Sequence, residues 1–236
     1  MGAVERFEII RVEGGVSRTV QDTLVVDHEL VLFLNGQPSA TFSCTPADLE
    51  ELVCGHLFAQ GLISSKGDLH KLAISGSRAD VVLRSGGGAV PRDKGWPLPG
   101  QKISFRAQEL FQAMEWFGGQ SALFAATGGV HSSALWHLNG QRIFLEDIGR
   151  HNAVDKVLGR ALLAEWDLSQ CALLTSGRVP GELIEKALNT GVQVIVSRSA
   201  PMTRAVERAR KHGLTLCGFV RGERMNIYSG AERVLV

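Results

Sequence analysis

Three short apolar runs at residues 172–175, 192–196 and 214–220 are separated by two stretches with helical spacing, 180–189 and 201–212. Each of those stretches opens on a proline, which suits the first turn of a helix because its missing N–H has no intrahelical partner there. This order, strand–helix–strand–helix–strand, constrains the fold more than any other feature. It sets short strands side by side in one sheet and puts the helices on its faces. A helix from about Asn152, burying Val154, Val157, Leu158, Ala161 and Leu162, extends the pattern upstream, as does a shorter helix over 107–117. The last strand leads into a further one near 225–228.

Two Asn-Gly dipeptides mark hairpins, since both residues tolerate the positive φ of a type I′ turn. Asn35-Gly36 joins 29–34 to 38–43, and Asn139-Gly140 joins 130–138 to 141–146. Between them, Thr45-Pro46-Ala47-Asp48 reads as a helix start, with Thr45 as cap, Pro46 in the first turn and Asp48 completing an approximate capping box. That helix buries Leu49, Leu52, Val53 and Leu57 and stops near Gly61. Residues 84–101 carry Gly86-Gly87-Gly88, Pro91, Pro97, Pro99 and Gly100, so they support neither a helix nor a central strand. They form a linker or a functional loop, and the chain divides there.

The bulk numbers exclude more than they assign. No apolar run approaches the ~20 residues of a membrane span, and the first residues lack the pattern of a signal peptide. The expected compartment is the cytoplasm. A net charge of +1 argues against a nucleic-acid binder. Locally, though, residues 198–224 hold seven Lys/Arg against Glu207 and Glu223, a local +5 that reads equally as a solvated helix face or a phosphate-seeking patch. Cys44, Cys54, Cys171 and Cys217 are scattered, with no zinc spacing and no C-x-x-C. No G-x-S-x-G elbow or phosphate-binding P-loop is present. A small-molecule hydrolase would need metal ligands that the sequence does not supply.

Polar residues cluster instead at the junctions. Glu146-Asp147-Ile148-Gly149-Arg150-His151-Asn152-Ala153-Val154-Asp155-Lys156 packs acids, bases and an amide onto one strand-to-helix turn. Ser197-Arg198-Ser199-Ala200-Pro201 follows a strand and opens a helix, where free N–H groups and the helix dipole welcome an anion. Capping by Ser199 explains the serine and proline without a ligand, but it does not explain Arg198. Thr175-Ser176-Gly177-Arg178 repeats the arrangement one strand earlier, at the edge where open α/β sheets bind ligands. His131 follows Thr127-Gly128-Gly129, a turn that lets backbone approach a ligand. For His131 and His151, the roles of base, ligand contact and structural hydrogen bonding are all open.

In order, Thr127–His131, Glu146–Lys156, Ser176–Arg178, Ser197–Pro201 and Gly218-Phe219-Val220-Arg221 resemble the formate dehydrogenase accessory sulfurtransferase family, FdhD. The resemblance is strong over 105–236 and weaker through Cys44-Thr45-Pro46 and the helix over 52–63. It implies an α/β protein with a cytidine-deaminase-like, three-layer C-terminal domain over 105–236. A smaller α+β N-terminal domain over 1–83 and a Gly/Pro-rich linker or loop over 84–104 complete it. It also implies a cytoplasmic homodimer that binds Mo-bis(molybdopterin guanine dinucleotide), with GDP as a surrogate ligand. The partners would be a cysteine desulfurase and the formate dehydrogenase apoenzyme, with neither nucleic acid nor membrane involved.

The family's cofactor-binding stretch matches Phe219, Val220, Arg221, Gly222, Glu223 and Arg224. Position in the chain adds Gly128, Gly129, His131, Asp147, Arg150, His151, Asn152, Ser176, Arg178, Ser197, Arg198 and Ser199 as candidate cofactor contacts, and no metal ligands. One departure matters. The family's sulfur relay uses a C-x-x-C before the Thr-Gly-Gly motif, and residues 84–126 of this chain contain no cysteine. A persulfide needs an accessible thiolate. Two readings follow: a sulfur carrier using one of the four scattered cysteines, or a cofactor carrier and chaperone without sulfur transfer.

Overall fold

The computed structural model describes residues 2–84 and 103–236. The expected linker therefore lies almost wholly outside the described residues. The chain is a mixed α/β protein. It opens with a ribbon of two long antiparallel strands, β1 (Val4–Glu13) and β2 (Val16–Val25). Next come β3 (His28–Leu34), β4 (Gln37–Cys44), α1 (Leu49–Ala59), β5 (Leu69–Ser75) and β6 (Arg78–Leu83), whose strands form a sheet in the order β4-β3-β6-β5.

The second half contains β7 (Phe105–Arg106), α2 (Ala107–Gly118), α3 (Ala122–Thr127), β8 (His131–His137), β9 (Arg142–Asp147) and α4 (Arg150–Leu163). It continues through β10 (Cys171–Thr175), α5 (Gly181–Thr190), β11 (Val194–Ser197), α6 (Thr203–Lys211), β12 (Thr215–Arg221), β13 (Arg224–Ser229) and β14 (Val234–Leu235). Six of these strands make one sheet, ordered β13-β12-β11-β10-β8-β9, with β10, β11 and β12 parallel. The alternating strand–helix pattern predicts this parallel centre. β7 and β14 pair separately.

Side chains alternate across the large sheet, as the pleat requires. Leu173, Ile195 and Leu216 point into a core shared with α4, α5 and α6, while Ala172, Leu174, Val196 and Cys217 face α2. The first core is continuous with the N-terminal sheet through α1, so Leu30, Leu32, Leu52 and Leu57 pack in the same cluster as Leu158 and Ile184. α1 and α4 cross at glycine. A methyl carbon on Gly55 would lie 1.7 Å from the Asp155 carbonyl oxygen, and one on Gly159 would lie 1.9 Å from that of Glu51. Only glycine permits this approach. Arg160 on α4 then reaches Asp48 at 3.0 Å and Glu51 at 2.8 Å across the crossing.

Three local expectations are corrected. Thr45 does not cap α1: the residue before the helix is Asp48, in the left-handed region at φ 53° with no side-chain cap, while Thr45 is buried and bonded elsewhere. Asn35 and Gly36 both take positive φ, as a type I′ turn demands, but at the second hairpin only Gly140 does. The latter turn is wider, closed by Gly140 N–H to His137 O at 2.9 Å, with the Asn139 carboxamide accepting from Gln141 N–H at 2.9 Å. Finally, α6 begins at Thr203 and β11 ends at Ser197, so residues 198–202 form a loop before the helix rather than its first turn.

Candidate functional site

The C-terminal ends of β10 and β11 are tied into one platform. Ser197 Oγ donates to Gly177 O and Ser199 Oγ donates to Ser176 O, both at 2.8 Å. The N–H of Arg198 reaches Thr175 O at 3.1 Å and that of Ser199 reaches Ser197 Oγ at 2.9 Å. The Val179 N–H donates to Ala200 O at 3.1 Å and the Met202 N–H donates to Val179 O at 2.8 Å. The Arg198 and Ser199 N–H groups expected to await an anion are therefore consumed by the chain itself. The platform offers side chains instead. β12 passes close beside it: a methyl on Gly218 would lie 2.8 Å from Pro201 Cδ, and Phe219 takes φ 54° as its N–H bonds Ser199 O at 3.1 Å.

Two adjoining cavities open over this platform. One, of about 520 Å³, is lined by Gly128, Gly129, His131, Ser176, Arg198, Ser199 and Arg221, closed on its other side by Phe117, Gly118, Ser121, Phe124 and Ile148. The other, of about 550 Å³, lies between α2 and the β12–β13 turn, against Phe111, Met114, Glu115, Val220, Gly222 and Glu223. Gly118, Arg198 and Arg221 belong to both. Two exposed guanidinium groups thus stand on the ridge between two cavities of nucleotide-accommodating size. Guanidinium forks match phosphate oxygens in charge and geometry.

His131 is half-buried at the base of the first cavity. Its Nδ1 lies 3.3 Å from Ser176 Oγ, which itself accepts the Ser132 N–H at 3.0 Å. Burial, then Arg150 and Arg178, push the His131 pKa below the ordinary histidine value. A neutral ring that accepts the Ser176 hydroxyl hydrogen at Nδ1 would carry its own proton on Nε2 and could donate a hydrogen bond there. Burial, then Lys186 and Arg150, likewise lower the pKa of His151. Arg150 packs its stem against Gly177, and its Nε is buried with no hydrogen-bond partner among the described residues.

Several sequence-selected residues lie elsewhere. Asp147 is fully buried and accepts from Thr45 N–H at 3.1 Å, Gly149 N–H at 2.9 Å and Asn152 Nδ2 at 2.9 Å, with Lys156 Nζ at 2.7 Å. Asn152 Nδ2 also reaches Ser43 O at 2.7 Å, and Lys156 reaches Thr45 Oγ1 at 2.6 Å. Asp147 and Asn152 therefore hold the N-terminal segment to α4 and are withdrawn as cavity residues. Ser197 is buried scaffold. Arg150, His151, Arg178, Phe219 and Arg224 do not line either cavity.

The local +5 also disperses: Arg208 pairs with Glu185, Arg210 donates to Tyr228 O, and only Arg198 and Arg221 reach the cavities. Sequence reading missed the α2–α3 wall. The one signal for it is the Gly118-Gly119 pair mirroring Gly128-Gly129, which brackets Ser121 and Phe124.

All four cysteines are buried and unpaired. Burial lifts the Cys44 thiol pKa to about 11 and those of Cys54, Cys171 and Cys217 to about 12. Among the described residues, no three His, Cys, Asp or Glu side chains converge as a metal site, and no helix is long and apolar enough to cross a membrane.

Comparison with known proteins points one way. The FdhD/NarQ family model matches residues 25–96 and 88–235. The sulfur carrier protein FdhD of Streptomyces coelicolor is 34% identical, over 99% of this chain and 97% of its own length. That of Methanothermobacter thermautotrophicus is 32% identical, over 92% of this chain and 94% of its own. A crystal structure of a candidate formate dehydrogenase accessory protein from Desulfotalea psychrophila superposes with a TM-score of 0.86 at 27% identity, covering 99% of this chain and all of the other.

Proposed function

The chain belongs to the FdhD/NarQ family, and on that footing we propose that it serves formate dehydrogenase maturation by holding the bis-guanine-dinucleotide molybdenum cofactor. The observation that carries this reading is the pair of adjoining cavities sharing Arg198 and Arg221. A ligand with two nucleotide arms and several phosphates has a place for each arm and a cationic ridge between them. His131, neutral, donates a hydrogen bond without adding charge. The proposal includes the cytidine-deaminase-like plan for residues 105–236, supported by a six-stranded sheet with helices on both faces. It includes the apoenzyme and a cysteine desulfurase as partners, and the cytoplasm as the compartment.

On sulfur, the buried thiols favour a cofactor carrier whose sulfur comes from a thiol outside this chain. A thiol pushed to about 11 or 12 with no solvent access is neither nucleophilic nor within reach of a donor protein. The names of the relatives, sulfur carrier protein, support the second reading, in which one cysteine is exposed by local opening.

Incubation with a cysteine desulfurase and cysteine, followed by intact mass and thiol mapping, separates the two. GDP binding is followed in parallel by calorimetry. We expect GDP to bind and no sulfur to be added. A persulfide on one mapped cysteine would replace the carrier reading with the sulfur-carrier one, and failure to bind either GDP or the cofactor would remove both.

A further inference from the structure

The α3 wall of the first cavity has little of its own to hold it in place. α3 has six residues, and none of them is buried. A helix that short is marginal in water without help from outside it. Among the described residues, the hydrogen bonds of 119–128 run within 116–129, with one exception. The exception is Ser121 Oγ, which donates to Glu146 Oε1 on β9. Glycine pairs stand at both ends of the segment, Gly118-Gly119 and Gly128-Gly129, with Gly128 at φ 65°.

Strand register places Glu146 for this contact. It pairs with Ser132 across β8 and β9, and residues directly opposite each other share a face. That is the face of the sheet that carries α2, where Phe144, two residues earlier, packs edge-on against Phe117 at 5.7 Å. The half-buried Glu146 carboxylate has no cationic partner and no second hydrogen-bond donor among the described residues. Its main chain is fixed as well, since Lys156 Nζ donates to Glu146 O at 3.2 Å. The Ser121 hydroxyl has one hydrogen to give, and Glu146 takes it, while the oxygen accepts the Phe124 N–H at 3.1 Å and caps α3. One hydroxyl thus starts the helix and ties it to the sheet.

We propose that Glu146, acting through Ser121, positions α3 as the wall that retains a nucleotide in the first cavity. Ser121 and Phe124 close that cavity opposite Arg198 and Arg221, and Gly128 and Gly129 line it from the far end of the same segment. Phe124 keeps 54% of its surface exposed, an aromatic face that a base can cover. With the bond to Glu146 made, this face is held over the cavity. With it broken, the glycine pairs let the segment swing outward and the ligand leaves. Glu146 does not itself line the cavity, so it is a positioning residue. The retention claim rests on reading the cavities as a nucleotide site; the tie between β9 and α3 does not.

The test is a double-substitution cycle on the full chain, read by amide hydrogen exchange and by nucleotide release. Ser121→Asp keeps an oxygen that caps Phe124 but sets a second carboxylate against Glu146. Without nucleotide, the amides of 122–128 should then exchange about tenfold faster, with those of β10 and β11 as the reference for global stability. In stopped flow, the fluorescent N-methylanthraniloyl derivative of GDP should leave about tenfold faster. Glu146→Gln keeps an oxygen to accept from Ser121 and should stay within about twofold of wild type in both measurements. Added to Ser121→Asp, it gives the new carboxylate an amide donor, and both rates should return to within about twofold of wild type. Direct repulsion of phosphate by the new acid would persist in the double variant, so the rescue separates positioning from charge. Wild-type exchange in Ser121→Asp, faster exchange without faster release, or a double variant as fast as Ser121→Asp would each overturn the proposal. A wild type that binds no GDP would overturn the nucleotide reading and the retention claim with it, while the exchange cycle still decides whether Glu146 positions α3.

Discussion

The two polar nodes at the edge of the large sheet resemble each other in composition and differ in where their polar groups find partners. At Glu146–Lys156, Asp147, Asn152 and Lys156 are satisfied by the chain, bonding Thr45, Ser43 and one another. At the β10–β11–β12 edge, the Arg198 and Ser199 N–H groups and the serine hydroxyls are satisfied internally, but the Arg198 and Arg221 guanidinium groups are left facing open cavities. The first node is a clamp and the second a reception surface. A dense polar motif does not announce which it is. The deciding quantity is whether its charges are paired within the protein.

Substitutions can break that contrast. The largest expected effect is at the clamp. Lys156→Met strands the buried Asp147 carboxylate and should cost about 3–5 kcal/mol in urea unfolding, while adding Asp147→Asn removes the stranded charge and recovers part of the loss. Next is the helix crossing that seats the clamp: Gly159→Ala forces α1 away from α4 and should cost about 3 kcal/mol by the same assay. At the reception surface the pattern inverts. Arg198→Ala or Arg221→Ala should leave the unfolding free energy within about 0.5 kcal/mol of wild type. Each should instead weaken GDP binding by roughly 10- to 100-fold, as for one lost charge-assisted hydrogen bond. A clamp variant that loses GDP affinity without losing stability would erase the distinction.

The smallest effect is a pH slope. The folded-state pKa values of His131 and His151 lie below the unfolded value, so the unfolded chain binds more protons near the ordinary histidine pKa. Stability from these two rings is fully present above that value and falls as the pH drops through it toward the folded pKa. His131→Gln should flatten the slope of unfolding free energy against pH over that interval.

Much of the fold was legible because it rests on local signals. The parallel strands, their crossing helices and the Asn35-Gly36 turn each follow from neighbours in sequence. The ribbon was not legible, since Val4-Glu5-Arg6-Phe7-Glu8-Ile9-Ile10 mixes charge and apolar residues on both faces and gives no clean alternation. Thr45 was misread for another reason: its partner Asp147 lies 102 residues away, and no local rule reports such a bond. In the site, Ser176, Arg198 and Ser199 were found from strand ends, His131 from the glycine turn before it, and Arg221 from the stretch that matches the family. The opposing wall on α2 and α3 was not, because its residues are those of any amphipathic helix.

The glycine crossing of α1 and α4 also has a temporal meaning. α1 ends at Ala59 and α4 at Leu163, so the ribosome makes α1 long before its partner. At usual elongation rates that interval is on the order of 10 s. Throughout it, the glycine face of α1 that receives α4 has no helix to close on it, and Thr45 has no Asp147 to bond. The first half of the chain is thus born with an unfinished surface that only the second half can cover. During synthesis, general chaperones would find their longest opportunity on α1.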